Sequence, residues 1–501
     1  MALAPFFSRA YSAVGAHLGI TREELEKALA GCVAGVHLGG ACTAEGNEKW
    51  IAELLVNLLA RFYPTLSISG DESAYENTSK IAYAVNPDIE IQRSQEKAGV
   101  AAYVGEANIK NNGFSVAASG WVAQIGRTIK PKIGGPLNPY SAGAAAALAA
   151  WRIFQTIFNL KTTSVLALPD VSLSLLDYGS GSGMSESLPP MNLGEVAVAG
   201  LGAVGNPALW AWARHPGLSG EFHLIDPENI ELSNLQRYCL AFHKDVGMGK
   251  AQLAKRELLN TKLSHRLWPC SLEHFAGNYG GIGKLPSICV SVDNVEGRRT
   301  AQALLPRLVV NGWTGDSGLG VSWHRFLGDV ACLACLYQPK NISLSQTELA
   351  AQALGIPHEQ VTMLWATEKR LEEEGIKTIE THLGLPEGKL ADWTGKRVQD
   401  VYSGVICGMV GLDLSGVGRV ATVPLAHQSV LAGILMAAEL VKRSAPDLES
   451  KSQSEPLIIW DDIMRTPPKY WVVNRQKEPE CICKDQTYQD VYKTKWCWSG
   501  S

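Results

Sequence analysis

The sequence predicts an α/β protein built on a doubly wound, mostly parallel sheet, and three observations carry that prediction. Short runs of strand length recur without polar alternation, as expected of strands covered on both faces: Glu195-Val-Ala-Val-Ala199, Phe222-His-Leu-Ile225 and Ile288-Cys-Val-Ser-Val292. Helical stretches fall between them. A glycine-rich turn, Gly200-Leu-Gly-Ala-Val-Gly205, lies where the first run gives way to an apolar helix expected from about Pro207 to Trp212.

The N-terminal third alternates in the same way. Leu66-Ser-Ile68, Ala101-Ala-Tyr-Val104 and Phe114-Ser-Val-Ala-Ala118 read as strands, but no glycine fingerprint accompanies them, so this part is expected to be a sheet domain without a nucleotide site. Gly179-Ser-Gly-Ser-Gly183 and Pro189-Pro190 form a flexible, then stiff seam with little to bury, separating this third from the rest. Two small-residue helices hint at duplication, one opened by Asn138-Pro-Tyr-Ser-Ala-Gly143 and running through Phe158, the other opened by Val423-Pro-Leu-Ala-His-Gln-Ser429 and running through Lys442. From Pro339 to about Val417 the pattern changes to charged helical stretches such as Glu368-Lys-Arg-Leu-Glu-Glu-Glu374, which reads as an insert.

With 501 residues the chain has room for about two to four domains, and an apolar fraction of 46% can fill their cores. Its 45 basic and 49 acidic residues are spread along the length, leaving no basic block for a nucleic-acid backbone or an anionic bilayer. Met1-Ala-Leu-Ala-Pro-Phe-Phe lacks the charged lead-in and cleavage site of a signal peptide, and no apolar run approaches the roughly 20 residues of a bilayer span, so a cytoplasmic location is expected. Eleven cysteines, an odd number, argue against a disulfide framework and for metal or thiol chemistry.

The glycine turn lets the backbone approach a phosphate at the positive end of a helix, and Asp226, 21 positions beyond Gly205, suits a ribose contact. On that fingerprint alone an NAD-dependent oxidoreductase stays open. The run that follows separates NAD from ATP: Asp226-Pro-Glu-Asn-Ile-Glu-Leu-Ser-Asn-Leu-Gln-Arg237, then Asp245-Val-Gly-Met-Gly-Lys250-Ala251, then Ser291-Val-Asp293-Asn294 with Arg298, and Cys332-Leu-Ala-Cys335. This ordered set resembles the ubiquitin-activating (ThiF/MoeB) superfamily over about 185–339 and again near 419–483, with Glu228 standing where the family often has a second Asp.

The resemblance implies a Rossmann-like adenylation domain (186–339 and 419–501), interrupted by a helical cysteine-bearing insert (340–418) and preceded by a degenerate adenylation-like copy (1–185), so that one chain forms a pseudo-dimer. Joining a carboxylate to the α-phosphate of ATP brings two anions together, which asks for fixed positive charge and a divalent ion. Arg237, with its planar fork, and Lys250, with its compact ammonium, are the candidates for that charge, with Asn234 as a neutral donor beside them. Gly200, Gly202, Gly205 and Asp226 would complete the ATP site, and Asp293, at a strand end, would hold Mg²⁺ against the leaving pyrophosphate. Arg9 is a candidate for an arginine lent to the ATP by the N-terminal copy.

Cys332 and Cys335 form a tight knuckle that can take two corners of a Zn²⁺ tetrahedron, and Cys481-Ile-Cys483, with one residue between its cysteines where the family commonly has two, is the other close pair. Buried reduced thiols are the alternative. A thioester-forming nucleophile should sit in a mobile, partly exposed place. Cys407, in Ser403-Gly-Val-Ile-Cys-Gly408, resembles by position the family's catalytic cysteine; a packed thiol there, with another cysteine reacting, is the alternative. The function expected is adenylation of the C-terminal carboxylate of a ubiquitin-like protein, thioester formation and transfer to a ubiquitin-conjugating-type enzyme, by a pseudo-dimeric monomer or a homodimer. The size resembles activating enzymes of bacterial ubiquitin-like conjugation operons, including those of antiviral defence. A sulfur-carrier adenylyltransferase of the thiamine or molybdopterin type and a non-catalytic scaffold of the same fold are the rivals.

Overall fold

The computed structural model describes residues 21–93, 98–105, 108–109, 112–158, 169–179, 183–279, 285–315, 318–338, 346–402, 424–452, 457–461, 469–473 and 475–496. The chain divides into a sheet unit, Arg22–Tyr337 with Pro424–Ser501, and a helical unit that includes Gln338–Val423. No helix among the described residues is long and apolar enough to cross a membrane.

The first half of the sheet unit runs α1 (Arg22–Ala30), β1 (Ala34–Leu38), α2 (Asn47–Ala60), β2 (Thr65–Gly70), α3 (Glu72–Val85), β3 (Glu90–Gln92), β4 (Val100–Val104), β5 (Gly113–Ser119), β6 (Val122–Gly126), α4 (Pro139–Phe158) and β7 (Val171–Ser174). The strands lie in the order β3-β2-β1-β4-β5-β6-β7, parallel through β5 and antiparallel from β6. β4 and β5 are buried along their whole length, which is why they read as uninterrupted apolar or small-residue runs.

The second half follows as β8 (Met191–Ala199), α5 (Gly205–Arg214), β9 (Leu218–Ile225), α6 (Lys250–Leu258), β10 (Lys262–Trp268), α7 (Leu272–Asn278), β11 (Ser287–Val290), α8 (Val295–Ala303), β12 (Leu308–Thr314), β13 (Gly318–His324) and α9 (Leu333–Leu336). The helical unit contributes α10 (Gln346–Leu354), α11 (His358–Thr367), α12 (Glu373–His382) and α13 (Val398–Val401). The chain then returns through α14 (Ala426–Ser444), α15 (Pro446–Lys451), β14 (Leu457–Asp461), β15 (Lys469–Val473) and α16 (Gln486–Trp496). Strand order is β10-β9-β8-β11-β12-β13-β14-β15, parallel through β12 and antiparallel beyond.

Counted from its own first strand, each half runs 3-2-1-4-5-6-7 with the same switch from parallel to antiparallel, and the second half adds an eighth strand, β15, at the edge. α4, which follows the β5–β6 hairpin, packs on α14, the long helix with which the chain returns after the helical unit. A Cβ at Gly143 of α4 would fall 2.5 Å from Ile434 of α14, so the small residues that open α4 serve this close approach. The helical unit has its own core, centred on Leu354, Val361, Ile376, Ile379, Leu390 and Val401. Buried Glu380 accepts from the amides of Gly388 and Leu390 there.

One expectation needs correction. The segment after Gly183 is not a free tether: the Gly183 carbonyl accepts from Trp121 N, that of Met184 accepts from Ser119 Oγ, and Leu188 is buried, because the tight β5–β6 turn needs acceptors for its polar groups. The first half also has a glycine-rich turn, Gly39-Gly40-Ala41-Cys42, directly after β1 at the position that Gly200–Gly205 holds after β8. It lacks the spacing of the fingerprint.

Candidate nucleotide site and cysteine cluster

β8 has β9 on one side and β11 on the other, so the chain leaves the carboxyl ends of these strands in opposite directions, which opens the crevice where α/β sheets bind ligands. The glycine turn lies at this point. Gly200 takes φ +88°, and a Cβ on it would meet the main chain of Ser291 and Val292, just past the end of β11. Ser291 Oγ donates to the Gly200 carbonyl at 2.7 Å. A Cβ on Gly205 would land on the Gly200 carbonyl, so the first residue of α5 must be glycine for the turn to close. Val204, at the N-cap of α5, has no side-chain acceptor with which to cap the helix.

Asp226, the residue after β9, organises this turn from inside. Its carboxylate accepts from Leu201 N at 2.8 Å and from Glu228 N at 3.0 Å, and only 7% of the residue is exposed. Burial raises its pKa above the ordinary 3.8, against the pull of Lys250 and the two amides. The sequence suggests a ribose ligand at this position; the structure adds the role of shaping the glycine turn.

Past Asp226 the chain folds back on itself. Ile230 N donates to Met248 O, Gly247 N to Ile230 O and Lys250 N to Glu228 O, which brings Lys250, the first residue of α6, beside Asp226. The Lys250 ammonium pairs with Glu228 and lies 5.4 Å from the centre of the Tyr238 ring. Burial lowers its pKa, but Tyr238, Asp226 and Glu228 outweigh burial and hold it above the usual lysine value. A Cβ on Gly202 would stand 3.0 Å from the Tyr238 hydroxyl, so the glycine turn, Tyr238 and Lys250 are contiguous. Asn234 lies in the 3-10 turn Leu232–Gln236, where its side-chain oxygen accepts from Glu231 N at 3.0 Å, and half-buried Arg237 ends the turn.

Asp293 is exposed two residues past Ser291. Its neighbour Asn294 caps α8 by accepting from Gly297 N at 2.6 Å. Arg298 is buried in a structural place: its guanidinium donates to Asn311 Oδ1 and to Val292 O, and it lies over the Tyr337 ring.

The four cysteines expected to pair do converge. Cys332 and Cys335 flank the start of α9, and Cys481 and Cys483 come from the tail, with Sγ–Sγ distances of 3.8 Å (332–335), 3.5 Å (332–481) and 3.5 Å (335–483). Zn–S bonds of about 2.3 Å in a tetrahedron require edges of about 3.8 Å, so the thiols fit Zn²⁺. Glu478 N donates to Cys335 Sγ, as outer-shell amides do to ligating sulfurs. A second grouping, Glu195, Glu221 and His223, does not fit a metal. Trp268 Nε1, which can only donate, bonds His223 Nδ1 at 3.1 Å, so in the neutral ring Nε2 keeps the proton and cannot ligate.

Burial raises the other described thiols: Cys32 to about 11, Cys42 and Cys239 to about 12, and Cys270 and Cys289 in the same direction. Cys407 and Arg9 lie outside the described residues. Sequence reasoning missed Asn57 and Arg61 of the first half, which reach the main chain of the loop carrying Arg237 and Tyr238. Neither belongs to a motif.

Two family models match the chain: the ThiF family over residues 191–442 and prokaryotic E2 family C over residues 38–159. The chain is 37% identical over 517 residues to uncharacterized protein y4jF of Sinorhizobium fredii (strain NBRC 101917 / NGR234), covering 99% of this chain and 98% of that protein. Among solved structures it is similar to E. coli MccB with MccA-N7isoASN at TM-score 0.36 and 17% identity, over 58% of this chain and 67% of that one. It is also similar to E. coli MccB with selenomethionyl MccA, at TM-score 0.36 and 16% identity over the same shares.

Proposed function

Because this chain belongs to the ThiF family, we propose that it uses ATP to adenylate the C-terminal carboxylate of a ubiquitin-like protein and then takes the acyl group as a thioester on Cys407. One observation carries the reading: the glycine turn, Asp226, Tyr238 and Lys250 form one contiguous wall at the carboxyl ends of β8 and β9, with Ser291 joining β11 to it. An NAD site needs no buried ammonium at this place; a triphosphate does.

In this reading a carboxylate oxygen attacks the α-phosphorus, pyrophosphate leaves, and the products are acyl-adenylate and pyrophosphate. The amides of the glycine turn and the cations of Lys250 and Arg237 bind the phosphates and offset the charge that builds up during attack. Asp293 would hold Mg²⁺, which supplies further neutralising charge at the phosphates. The thiol of Cys407, losing its proton, then attacks the acyl carbon and AMP leaves. Every described thiol outside the four-cysteine cluster is raised by burial and poorly suited to that role, which favours a nucleophile elsewhere in the chain. A ubiquitin-conjugating-type enzyme would receive the acyl group. Cys332, Cys335, Cys481 and Cys483 would hold a structural Zn²⁺.

The first half acts here as a non-catalytic counterpart. At its own switch point the buried Cys42 thiol donates to Val104 O. A Cβ at Gly105 would already touch Ala41 and Cys42.

The test is ATP:pyrophosphate exchange in the presence of candidate ubiquitin-like proteins, followed by non-reducing gels. Exchange with a thiol-sensitive adduct is expected. Cys407→Ala should keep exchange and lose the adduct. Exchange with no adduct in the parent removes the thioester step, and no exchange with any partner removes the adenylation reading.

A further inference from the structure

We propose that Asn57 and Arg61, from the first half, are positioning residues for the phosphate-binding loop of the second. This rests on the adenylation reading of that loop. Arg61 ends α2 and is 1% exposed. Its Nε donates to Asn57 Oδ1 at 2.9 Å, its Nη1 to Leu235 O, and its Nη2 to Ala241 O at 3.1 Å and Cys239 O at 3.4 Å. Asn57 Nδ2 adds a bond to Cys239 O at 3.0 Å. Among the described residues Arg61 meets an amide oxygen and main-chain carbonyls and no carboxylate, and burial lowers its pKa to about 10.

A guanidinium buried without a counter-ion is a costly way to join two surfaces, and apolar residues of the same volume would adhere as well. What the cation supplies is direction: all three loop carbonyls it meets lie within 235–241, on either side of Arg237 and Tyr238. Tyr238 in turn faces Lys250 and the glycine turn. Asn57 and Arg61 therefore set the main chain from which Arg237 and Tyr238 project, and a pre-set loop does not have to be ordered when phosphate binds. The first half thus contributes to the nucleotide site through helix α2 without touching nucleotide.

The full-length protein is compared with Arg61→Met, Arg61→Lys and Asn57→Ala, each kept well below its melting midpoint. Two readouts are taken: the dissociation constant for ATP·Mg²⁺ by calorimetry, and amide hydrogen exchange of residues 232–241 against that of β8. For Arg61→Met, ATP affinity should fall about tenfold, exchange in 232–241 should accelerate while β8 is unchanged, and Arg61→Lys should recover part of both. A folded Arg61→Met that binds ATP like the parent with unchanged exchange overturns the proposal. Should Arg61→Met fail to fold, Asn57→Ala decides by the same two readouts. Should the parent itself not bind ATP, the adenylation reading falls and the positioning role at a nucleotide site falls with it, while exchange still reports whether the two residues order the loop.

Discussion

The Tyr178 hydroxyl donates to Glu439 Oε1 at 2.6 Å, joining the turn after β7 to the middle of α14 and so one half of the sheet unit to the other. Glu439 also pairs with Lys442 and Arg443, and the Lys442 ammonium donates to the carbonyls of Leu175 and Leu176. Tyr178 itself takes φ +63°, a conformation that costs energy in a side-chain-bearing residue and is tolerated because the network holds both its ends.

Tyr178→Phe should destabilise the protein by about 1–3 kcal/mol, since it leaves a buried carboxylate oxygen without its hydroxyl donor. Denaturant unfolding checks this. Burial raises the pKa of Glu439, but the pull of Lys442 and Arg443 is greater, so the folded value lies below the ordinary 4.5. The stability this carboxylate contributes is then fully present above 4.5 and is lost as pH falls through the lower folded value. Glu439→Gln should flatten that acid limb.

Lys250→Met should cut ATP:pyrophosphate exchange by about 10²–10³-fold while leaving the fold intact, because it deletes the buried ammonium beside the glycine turn. Exchange rates at saturating and limiting ATP, with circular dichroism as the control, measure it.

Gly205→Ala should abolish nucleotide binding. The added methyl group meets the Gly200 carbonyl, so either the turn or the start of α5 must move. Calorimetric titration with ATP·Mg²⁺ gives the answer.

The purified protein should contain one zinc per chain, by elemental analysis. Cys481→Ser should release it and lower the melting midpoint, since a structural site stabilises the fold that holds it. A protein that contains no zinc when made in zinc-supplemented medium would return the four thiols to plain packing.

Nucleotide affinity should decline on the acid side with a midpoint above the ordinary aspartate value of 3.8, because burial raises Asp226 and protonation leaves one of the two amides it serves, Leu201 N or Glu228 N, without an acceptor. Asp226→Asn should bind ATP weakly at every pH and show no such limb. Titration from pH 4 to 8 (roughly, the range bracketing a buried carboxylate) distinguishes the two.

The glycine turn, Asp226, Lys250 and the paired cysteines were legible in the sequence because each belongs to a local pattern whose spacing reflects a geometric need. Strand positions were legible for the same reason, but not all ends: β8 begins at Met191 and β9 at Leu218, each four residues before the apolar run, because polar and glycine positions open them, and β11 ends at Val290 rather than Val292. Asn57 and Arg61 were not legible. They lie at the C-terminal end of α2, in the run Leu54-Leu-Val-Asn-Leu-Leu-Ala-Arg61, and their partners are main-chain carbonyls 174 to 182 positions away, which leave no trace in residue type. The turn at Gly39-Gly40 carries no recognisable pattern because it lacks the spacing of the fingerprint.

The four-thiol cluster has a consequence for the integrity of the chain. Two of its cysteines precede residues 338–423 and two follow them, and β13, before that stretch, pairs with β14, after it. A protease that cuts once within 338–423 should therefore yield two polypeptides that still migrate together, and, with zinc held by the four thiols as proposed, a chelator should be needed beside a denaturant to part them.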